Sequence, residues 1–302
     1  MPRLTPAELI SLSASAQEAV HAAWETARRH FPPLLVCDRP SGTLSVSVTG
    51  TTCALNCAHC GGHYLEGMTP VSRLESELSR GTYTSCLISG GCTPAGKVEV
   101  AQRAELIAGL KARGFKINVH AGLITQEEID VLAPLADAVS FDMVTDEQTI
   151  RDVFGLSRTG SDYVNTYKAL RKSGANVVPH VCIGLWGGVV RGEFDALETL
   201  ARLGAPGVVF IVLIPTPGTA FADRQPPRLE DVAAVLVRAR ELFPDKPLNL
   251  GCMRPKGRYR AELDMLAVGS GINRIVNPTG PALELAHRLG LELIERKECC
   301  VL

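Results

Sequence analysis

Short apolar stretches and longer amphipathic stretches alternate along most of this chain. The apolar stretches are rich in β-branched residues and predict strands at residues 44–48, 86–89, 116–120, 138–142, 176–183, 207–213, 247–250 and 273–276. The amphipathic stretches predict helices at residues 100–113, 126–135, 161–172, 193–203, 229–243, 258–266 and 281–289. Strands separated by helices usually pair in parallel. The pattern therefore predicts an α/β fold, a (β/α)8 TIM-type barrel that is complete or nearly so.

A separate helix is predicted before the first strand. Thr5, Pro6 and Glu8 provide a cap, a first-turn proline and a capping-box carboxylate. The apolar positions that should pack on a core are Leu9, Ile10, Val20, Ala23, Trp24 and Ala27. We therefore expect a helical extension at residues 1–40, the barrel at residues 41–290 and an extended tail with two cysteines at residues 291–302.

Composition narrows the class of protein. The 302 residues are 46% hydrophobic and 21% charged, with a formal net charge of -1, which does not suggest nucleic-acid binding. No run of about 18 apolar residues is present, so no membrane span is expected. The N-terminus lacks the apolar core of a signal peptide. Ten cysteines in such a chain indicate metal or redox chemistry in the cytoplasm.

Cys53, Cys57 and Cys60 form the most informative motif. Cubane iron–sulfur clusters usually take four thiolates, so three in one tight loop would leave one iron open to a small molecule. The spacing resembles the signature of the radical S-adenosylmethionine (SAM) superfamily. That resemblance implies a [4Fe-4S] cluster whose open iron is chelated by SAM. A structural zinc site with His59 or His63 as fourth ligand is the alternative.

Further chemistry-bearing residues fall at predicted strand ends, where barrel enzymes place their active sites. They are Gly90, Gly91, Cys92, His120, Asp142, His180, Cys182, Pro215, Cys252 and Arg254. Each has an ordinary explanation, since a lone histidine is often a core or rim residue and a buried cysteine often behaves as a small hydrophobe. Their repetition at successive strand ends favours a common site.

These residues resemble motifs of the biotin synthase, lipoyl synthase and hydrogenase-maturase branch of the superfamily. The resemblance implies that Gly90 and Gly91 hold the methionine amino group of SAM. It implies that Cys182 and Gly184 lie along the adenine. His59 departs from the family pattern, which has an aromatic residue at this position, and we expect its imidazole to stack on the adenine instead. The remaining positions implied to bind cofactor or substrate are His120, Asp142, Pro215 and Arg254. Asp142 is equally compatible with a rim salt bridge.

A second cluster is expected from the remaining cysteines. Biotin synthase holds an auxiliary cluster at four positions, of which Cys86 and Arg254 match two here. Asn118 and Val178 occupy the other two. We therefore expect the auxiliary cluster to use Cys252, Cys299 and Cys300 instead, with Cys37 or Cys92 as a possible fourth ligand.

This arrangement resembles a subunit of the two-component lipoyl synthases. The resemblance implies reductive cleavage of SAM and insertion of cluster sulfur into an octanoyl chain. It also implies a second radical SAM subunit, an octanoylated carrier protein or peptide, and an electron donor such as ferredoxin or flavodoxin. Two alternatives remain open: a radical SAM enzyme of the biotin synthase or maturase type with another substrate, and a non-catalytic iron–sulfur scaffold.

Overall fold

The computed structural model describes residues 12–302. This part of the chain forms two compact units. The first contains residues 12–39, 181–215 and 224–296, and the second contains residues 40–180, 216–223 and 297–302. The predicted helix start at Thr5, Pro6 and Glu8 lies outside the described residues, as do Leu9 and Ile10.

All eight predicted strands are present, each within one residue of its predicted ends. The strands are β1 (Leu34–Asp38), β2 (Thr43–Ser47), β3 (Thr69–Pro70), β4 (Ser85–Ser89), β5 (Lys116–Val119), β6 (Ala138–Asp142), β7 (Val177–Ile183), β8 (Val208–Val212), β9 (Leu248–Leu250), β10 (Arg274–Val276) and β11 (Glu292–Arg296). The sequence did not predict β1, β3 or β11.

One helix precedes β1, and the other helices within residues 12–302 lie between strands. The helices are α1 (Ala14–His30), α2 (Leu74–Arg80), α3 (Ala104–Ala112), α4 (Gln126–Leu132), α5 (Glu147–Phe154), α6 (Gly160–Lys172), α7 (Glu193–Arg202), α8 (Leu229–Leu242), α9 (Gly257–Gly269) and α10 (Gly280–Arg288). The seven helices predicted between strands are confirmed, and α2 and α5 are additional. No helix within residues 12–302 is long and apolar enough to cross a membrane.

The strands pair in parallel within each unit. In the first unit the hydrogen-bonded order is β11-β1-β10-β9-β8. In the second it is β7-β6-β5-β4-β2-β3, where residues 177–180 of β7 belong to the second unit and residues 181–183 to the first. Parallel pairing requires a crossover after each strand, and the helices provide these crossovers. The strand order confirms the predicted α/β fold of the TIM-barrel type, in its partial form.

Helix α1 packs on α8 in the first unit. Its N-cap is Ser13, whose hydroxyl accepts from the backbone N–H of Ala16. The predicted apolar stripe is confirmed by the burial of Val20, Ala23, Trp24 and Ala27. The extension is therefore an amphipathic helix whose apolar face is covered.

Candidate functional site

The cysteine loop lies in the second unit, after β2. The backbone N–H groups of Cys60 and Gly61 both donate to the carbonyl of Cys57, at 3.0 and 2.9 Å. The N–H of Ala58 donates to Val153 in α5 at 2.7 Å, and the carbonyl of Ala58 accepts from Phe221 at 2.9 Å. Contacts on both sides therefore fix the loop in a tight turn.

The thiol of Cys57 interacts electrostatically with the other two thiols of the loop. Burial raises the pKa of Cys57 to about 12, and the neighbouring Cys60, Cys92 and Cys53 contribute in the same direction. A cluster binds thiolates, so its loading would release the protons of these thiols. Within residues 12–302, no three His, Cys, Asp or Glu side chains are grouped as ligands of a single metal ion. A cubane cluster takes one thiolate per iron, and the thiols of this loop fit that donor set.

The two histidines of the alternative zinc site differ in their surroundings. The ring of His59 contacts Phe154 edge-on, with the ring centroids 5.8 Å apart. Its Nδ1 is buried without a hydrogen-bond partner among the described residues. Burial lowers the pKa of His59 to about 4, so this imidazole is neutral at pH 7. His63 is half exposed and lies 3.8 Å from a carboxylate oxygen of Glu66.

The glycine pair after β4 packs directly on the cysteine loop. A Cβ at Gly91 would lie 2.0 Å from the carbonyl oxygen of Thr52 and 2.6 Å from the Cα of Cys53. No side chain fits in that space, so the position requires glycine. The N–H of Gly91 donates to the hydroxyl of Thr49 at 2.7 Å. The structure therefore gives Gly91 a packing role beside the role in SAM binding that the resemblance implies.

Three histidines surround Asp142 in the second unit. His120 Nε2 lies 3.1 Å from Asp142 Oδ2, and the ring of His180 stacks nearly parallel on His120 with centroids 6.5 Å apart. Burial opposes the charge of Asp142, but His120, His180 and His59 together lower its pKa to about 2. Burial lowers the pKa of His180 to about 4. At pH 7 this group therefore contains the charged carboxylate of Asp142 and the neutral imidazole of His180.

His120 and Asp142 remain accessible to a ligand. Their side chains are 36% and 44% exposed. Burial lowers the pKa of His120, whereas Asp142 and Cys299 raise it, and the net pKa is above the usual value. The pair can therefore hold and exchange a proton at the carboxyl ends of β5 and β6, where the sequence placed them.

The loop that follows β8 is ordered by its own hydrogen bonds. Pro215 follows β8, and the hydroxyl of Thr216 lies 2.7 Å from that of Tyr64. The carbonyl of Thr216 accepts from the backbone N–H and the hydroxyl of Thr219, at 3.2 and 2.7 Å. Within the second unit, this segment lies against the part of the chain that follows Cys60.

The predicted adenine motif belongs to the first unit. Cys182 lies in β7 and is half-buried. Gly184 has φ 75° and a Cβ there would meet the ring of Pro227 at 2.8 Å, so the position requires glycine. Its N–H donates to a carboxylate oxygen of the buried Glu193 at 2.7 Å. The sequence did not single out Glu193 because it reads as an ordinary first-turn acidic residue of α7.

Arg254 is buried in the first unit. Its Nε donates to Asp264 Oδ1 at 2.7 Å, and both side chains are 0% exposed. The guanidinium also donates to the carbonyls of Gly251 and Val276, at 2.5 and 2.7 Å. These contacts favour a structural role, and the predicted contact with a cluster or with the SAM carboxylate stays a prediction.

We expect Arg254→Ala to lower the free energy of unfolding by about 3–5 kcal/mol, because it leaves the carboxylate of Asp264 buried and unpaired. Urea unfolding followed by circular dichroism measures this loss. The control is Arg258→Ala on α9, because its side chain is 89% exposed and its pair with Glu262 contributes at most about 1 kcal/mol. Unchanged stability with weakened SAM binding would favour a ligand role instead.

The remaining cysteines are distributed over both units. Cys37 lies in β1 and is 1% exposed, and burial raises its pKa to about 11. Cys252 is exposed and belongs to the first unit. Cys92, Cys299 and Cys300 belong to the second unit. All ten cysteines lie within the described residues, and none forms a disulfide.

Known proteins resemble this chain in sequence and in fold. No family model matches it. The biotin synthase of Coxiella burnetii is 27% identical over 256 residues, which cover 78% of this chain and 76% of that protein. Together with the cysteine motif, this relationship supports membership of the radical SAM superfamily. A radical SAM enzyme of the biotin synthase and maturase type requires the [4Fe-4S] cluster and SAM that the loop predicts.

Solved structures resemble this chain in fold. Methylornithine synthase PylB aligns with a TM-score of 0.66 and 14% identity, covering 98% of this chain and 95% of that one. The FeFe-hydrogenase maturase HydG from Carboxydothermus hydrogenoformans aligns with a TM-score of 0.65 and 15% identity, covering 91% of this chain and 67% of that one. At such identities the likeness concerns the fold alone.

Proposed function

We propose that this radical SAM enzyme inserts sulfur into an octanoyl chain, as a subunit of a lipoyl synthase of the two-component type. The observation that carries the proposal is the position of Cys299. This thiol of the C-terminal tail lies 3.9 Å from the side-chain nitrogen of Asn118, on strand β5. Asn118 occupies a position at which biotin synthase has a ligand of its auxiliary cluster.

The tail is held in this position by contacts within the second unit. The carbonyl of Lys297 accepts from the N–H of Gly42 at 2.7 Å. The carboxylate of Glu298 accepts from Lys116 at 2.7 Å and from Thr84 at 3.0 Å. The N–H of Cys299 donates to the hydroxyl of Thr43 at 2.8 Å. A segment bonded at three successive residues presents its thiols in a fixed place, as a cluster ligand requires.

Cys299 also acts electrostatically on His120, since it contributes to the raised pKa of that histidine. The adjacent Cys300 is buried, with 6% exposure. The tail therefore brings the thiol of Cys299 near His120, and the buried thiol of Cys300 follows it in sequence. We keep Cys299, Cys300 and Cys252 as the proposed ligands of the auxiliary cluster, with Cys37 as the proposed fourth ligand if Cys92 serves the loop cluster.

The chain's own residues have distinct tasks in this proposal. The cluster on the cysteine loop, when bound, supplies the electron that cleaves SAM, and the auxiliary cluster supplies the sulfur. Gly90 and Gly91 would hold the methionine amino group of SAM. Asp142 remains ionised and orients His120, so this pair can accept a hydrogen bond from a ribose hydroxyl or hold the substrate in place.

The proposed partners follow from the same reaction. The enzyme would take electrons from a ferredoxin or flavodoxin in the cytoplasm and an octanoyl chain from a carrier protein or peptide. A second radical SAM subunit would perform the other sulfur insertion. The family assignment supports the need for an electron donor, and the lipoyl synthase resemblance supports the other partners.

Iron and sulfide counting tests the proposal. The chain is purified and reconstituted without oxygen, beside the variant in which Cys53, Cys57 and Cys60 are all alanine. About four irons left in the variant would support a second cubane cluster. Adding Cys299→Ala and Cys300→Ala to that variant should then remove them. No iron in the triple variant would contradict sulfur insertion and leave a radical SAM enzyme with another substrate.

A further inference from the structure

Cys92 contacts the cysteine loop although it lies far from it in sequence. Its backbone N–H donates to the Sγ of Cys53 at 3.3 Å. Its carbonyl accepts from the N–H of Ala54 at 2.8 Å. Both polar groups of the Cys92 backbone are thus bonded to the first cysteine of the loop and to the residue after it.

The neighbouring glycine fixes this approach. A Cβ at Gly91 would lie 2.0 Å from the carbonyl oxygen of Thr52, so only glycine lets the two segments come so close. The Cα of Cys92 follows directly and is held beside Cys53. The side chain of Cys92 is therefore attached to the backbone close to Cys53, a predicted cluster ligand.

The thiol of Cys92 shares the surroundings of the three loop thiols. Burial raises its pKa to about 12, and Cys53, Asp142 and Cys60 add to this effect. Cys57 is affected by Cys92 in turn. Together with the three loop thiols, Cys92 provides the number of donors that an all-cysteine cubane cluster takes.

We infer that Cys92 is a fourth, displaceable ligand of the loop cluster, which caps the open iron until SAM binds. The thiol loses its proton to solvent when it binds iron. SAM then replaces the iron–sulfur bond of Cys92 with bonds from its amino and carboxylate groups, and the released thiolate takes up a proton. No electron is transferred in this exchange. The inference rests on the radical SAM assignment and is independent of sulfur insertion.

Two measurable properties distinguish a Cys92 thiolate that binds the open iron from one that does not. A fourth thiolate should keep the open iron in place when the cluster is mildly oxidised without SAM. It should also compete with SAM, because apparent affinity is reduced by the fraction of protein that is not ready to bind. If nine-tenths of the chains were capped, removal of the cap would tighten SAM binding about tenfold.

The test uses the full chain carrying Cys299→Ala and Cys300→Ala, so that only the loop cluster is measured. This reference chain and its Cys92→Ala derivative are reconstituted without SAM and treated with one equivalent of ferricyanide. We expect the reference to retain about four irons and the derivative to retain about three. The derivative alone should show the electron paramagnetic resonance signal of a three-iron cluster. Equilibrium binding should show tighter SAM binding by the derivative.

Two further variants, Thr93→Ala and Cys92→Ser, serve as controls. Thr93→Ala alters the next residue, whose buried hydroxyl has no hydrogen-bond partner within residues 12–302, and should behave as the reference. Cys92→Ser keeps the size of the side chain and should lose iron less readily than Cys92→Ala. Equal iron loss with and without Cys92 would overturn the inference. So would loss of iron on adding Cys92→Ala to the Cys53, Cys57 and Cys60 triple variant, since Cys92 would then belong to the second cluster.

Discussion

Replacement of Cys57 by alanine should abolish the formation of 5′-deoxyadenosine from SAM. Cys57 is the middle one of the three predicted cluster ligands, and its carbonyl accepts two of the hydrogen bonds that close the turn. Alanine retains these backbone bonds and removes only the thiol. We expect the rate of SAM cleavage to fall by at least about a thousandfold, because the cofactor that performs the chemistry is no longer held.

Chromatographic assay of deoxyadenosine with dithionite as reductant measures this loss, and the iron content is counted in the same samples. Asn56→Ala is the matched control, since it changes an exposed side chain of the same loop. It should retain cluster and activity. A Cys57→Ala variant that still formed deoxyadenosine at the normal rate would show that the cluster is not on this loop.

Eight of the eleven strands within residues 12–302 were predictable, because most of these eight are short apolar runs that lie between helices. Strand β7 alternates buried and half-buried residues, as the pattern of residues 176–183 indicates. Strand β11 escaped prediction because charged residues occupy both of its ends, at Glu292 and at Glu295–Arg296. Its pairing with β1 provides the order that its own sequence does not signal.

The cysteine loop and the strand-end residues were also predictable, because motif spacing and strand order are local properties. The contact between Cys92 and Cys53 was not. It depends on how closely the two loops approach each other. In the sequence, only the glycine at position 91 indicates such an approach. Nothing in the sequence indicates that Thr49 accepts a hydrogen bond from Gly91. For Arg254 the sequence was misleading. Its position at a strand end suggested that it could bind a ligand, but its guanidinium is paired with the carboxylate of Asp264.

Replacement of Cys299 or Cys300 by alanine should separate the two halves of the proposed reaction. The loop cluster does not use these thiols, so deoxyadenosine should still form at a rate within about tenfold of the wild-type rate. Sulfur transfer to an octanoylated peptide should fall to background. Mass spectrometry of the peptide and chromatography of deoxyadenosine, run on the same reaction mixtures, give both values.

A variant that still forms deoxyadenosine but no longer transfers sulfur identifies a thiol with a role in supplying sulfur. Cys299→Ala removes a side chain but keeps the backbone bond to Thr43, so the tail should remain in place. Lys297→Ala is the control, because its exposed side chain is lost while its carbonyl still accepts from Gly42. If Lys297→Ala also stopped sulfur transfer, the tail would act through its fold rather than its thiols. If Cys300→Ala and Cys299→Ala both kept the full product yield, the tail thiols would hold no auxiliary cluster, and the substrate would have to be sought outside sulfur insertion.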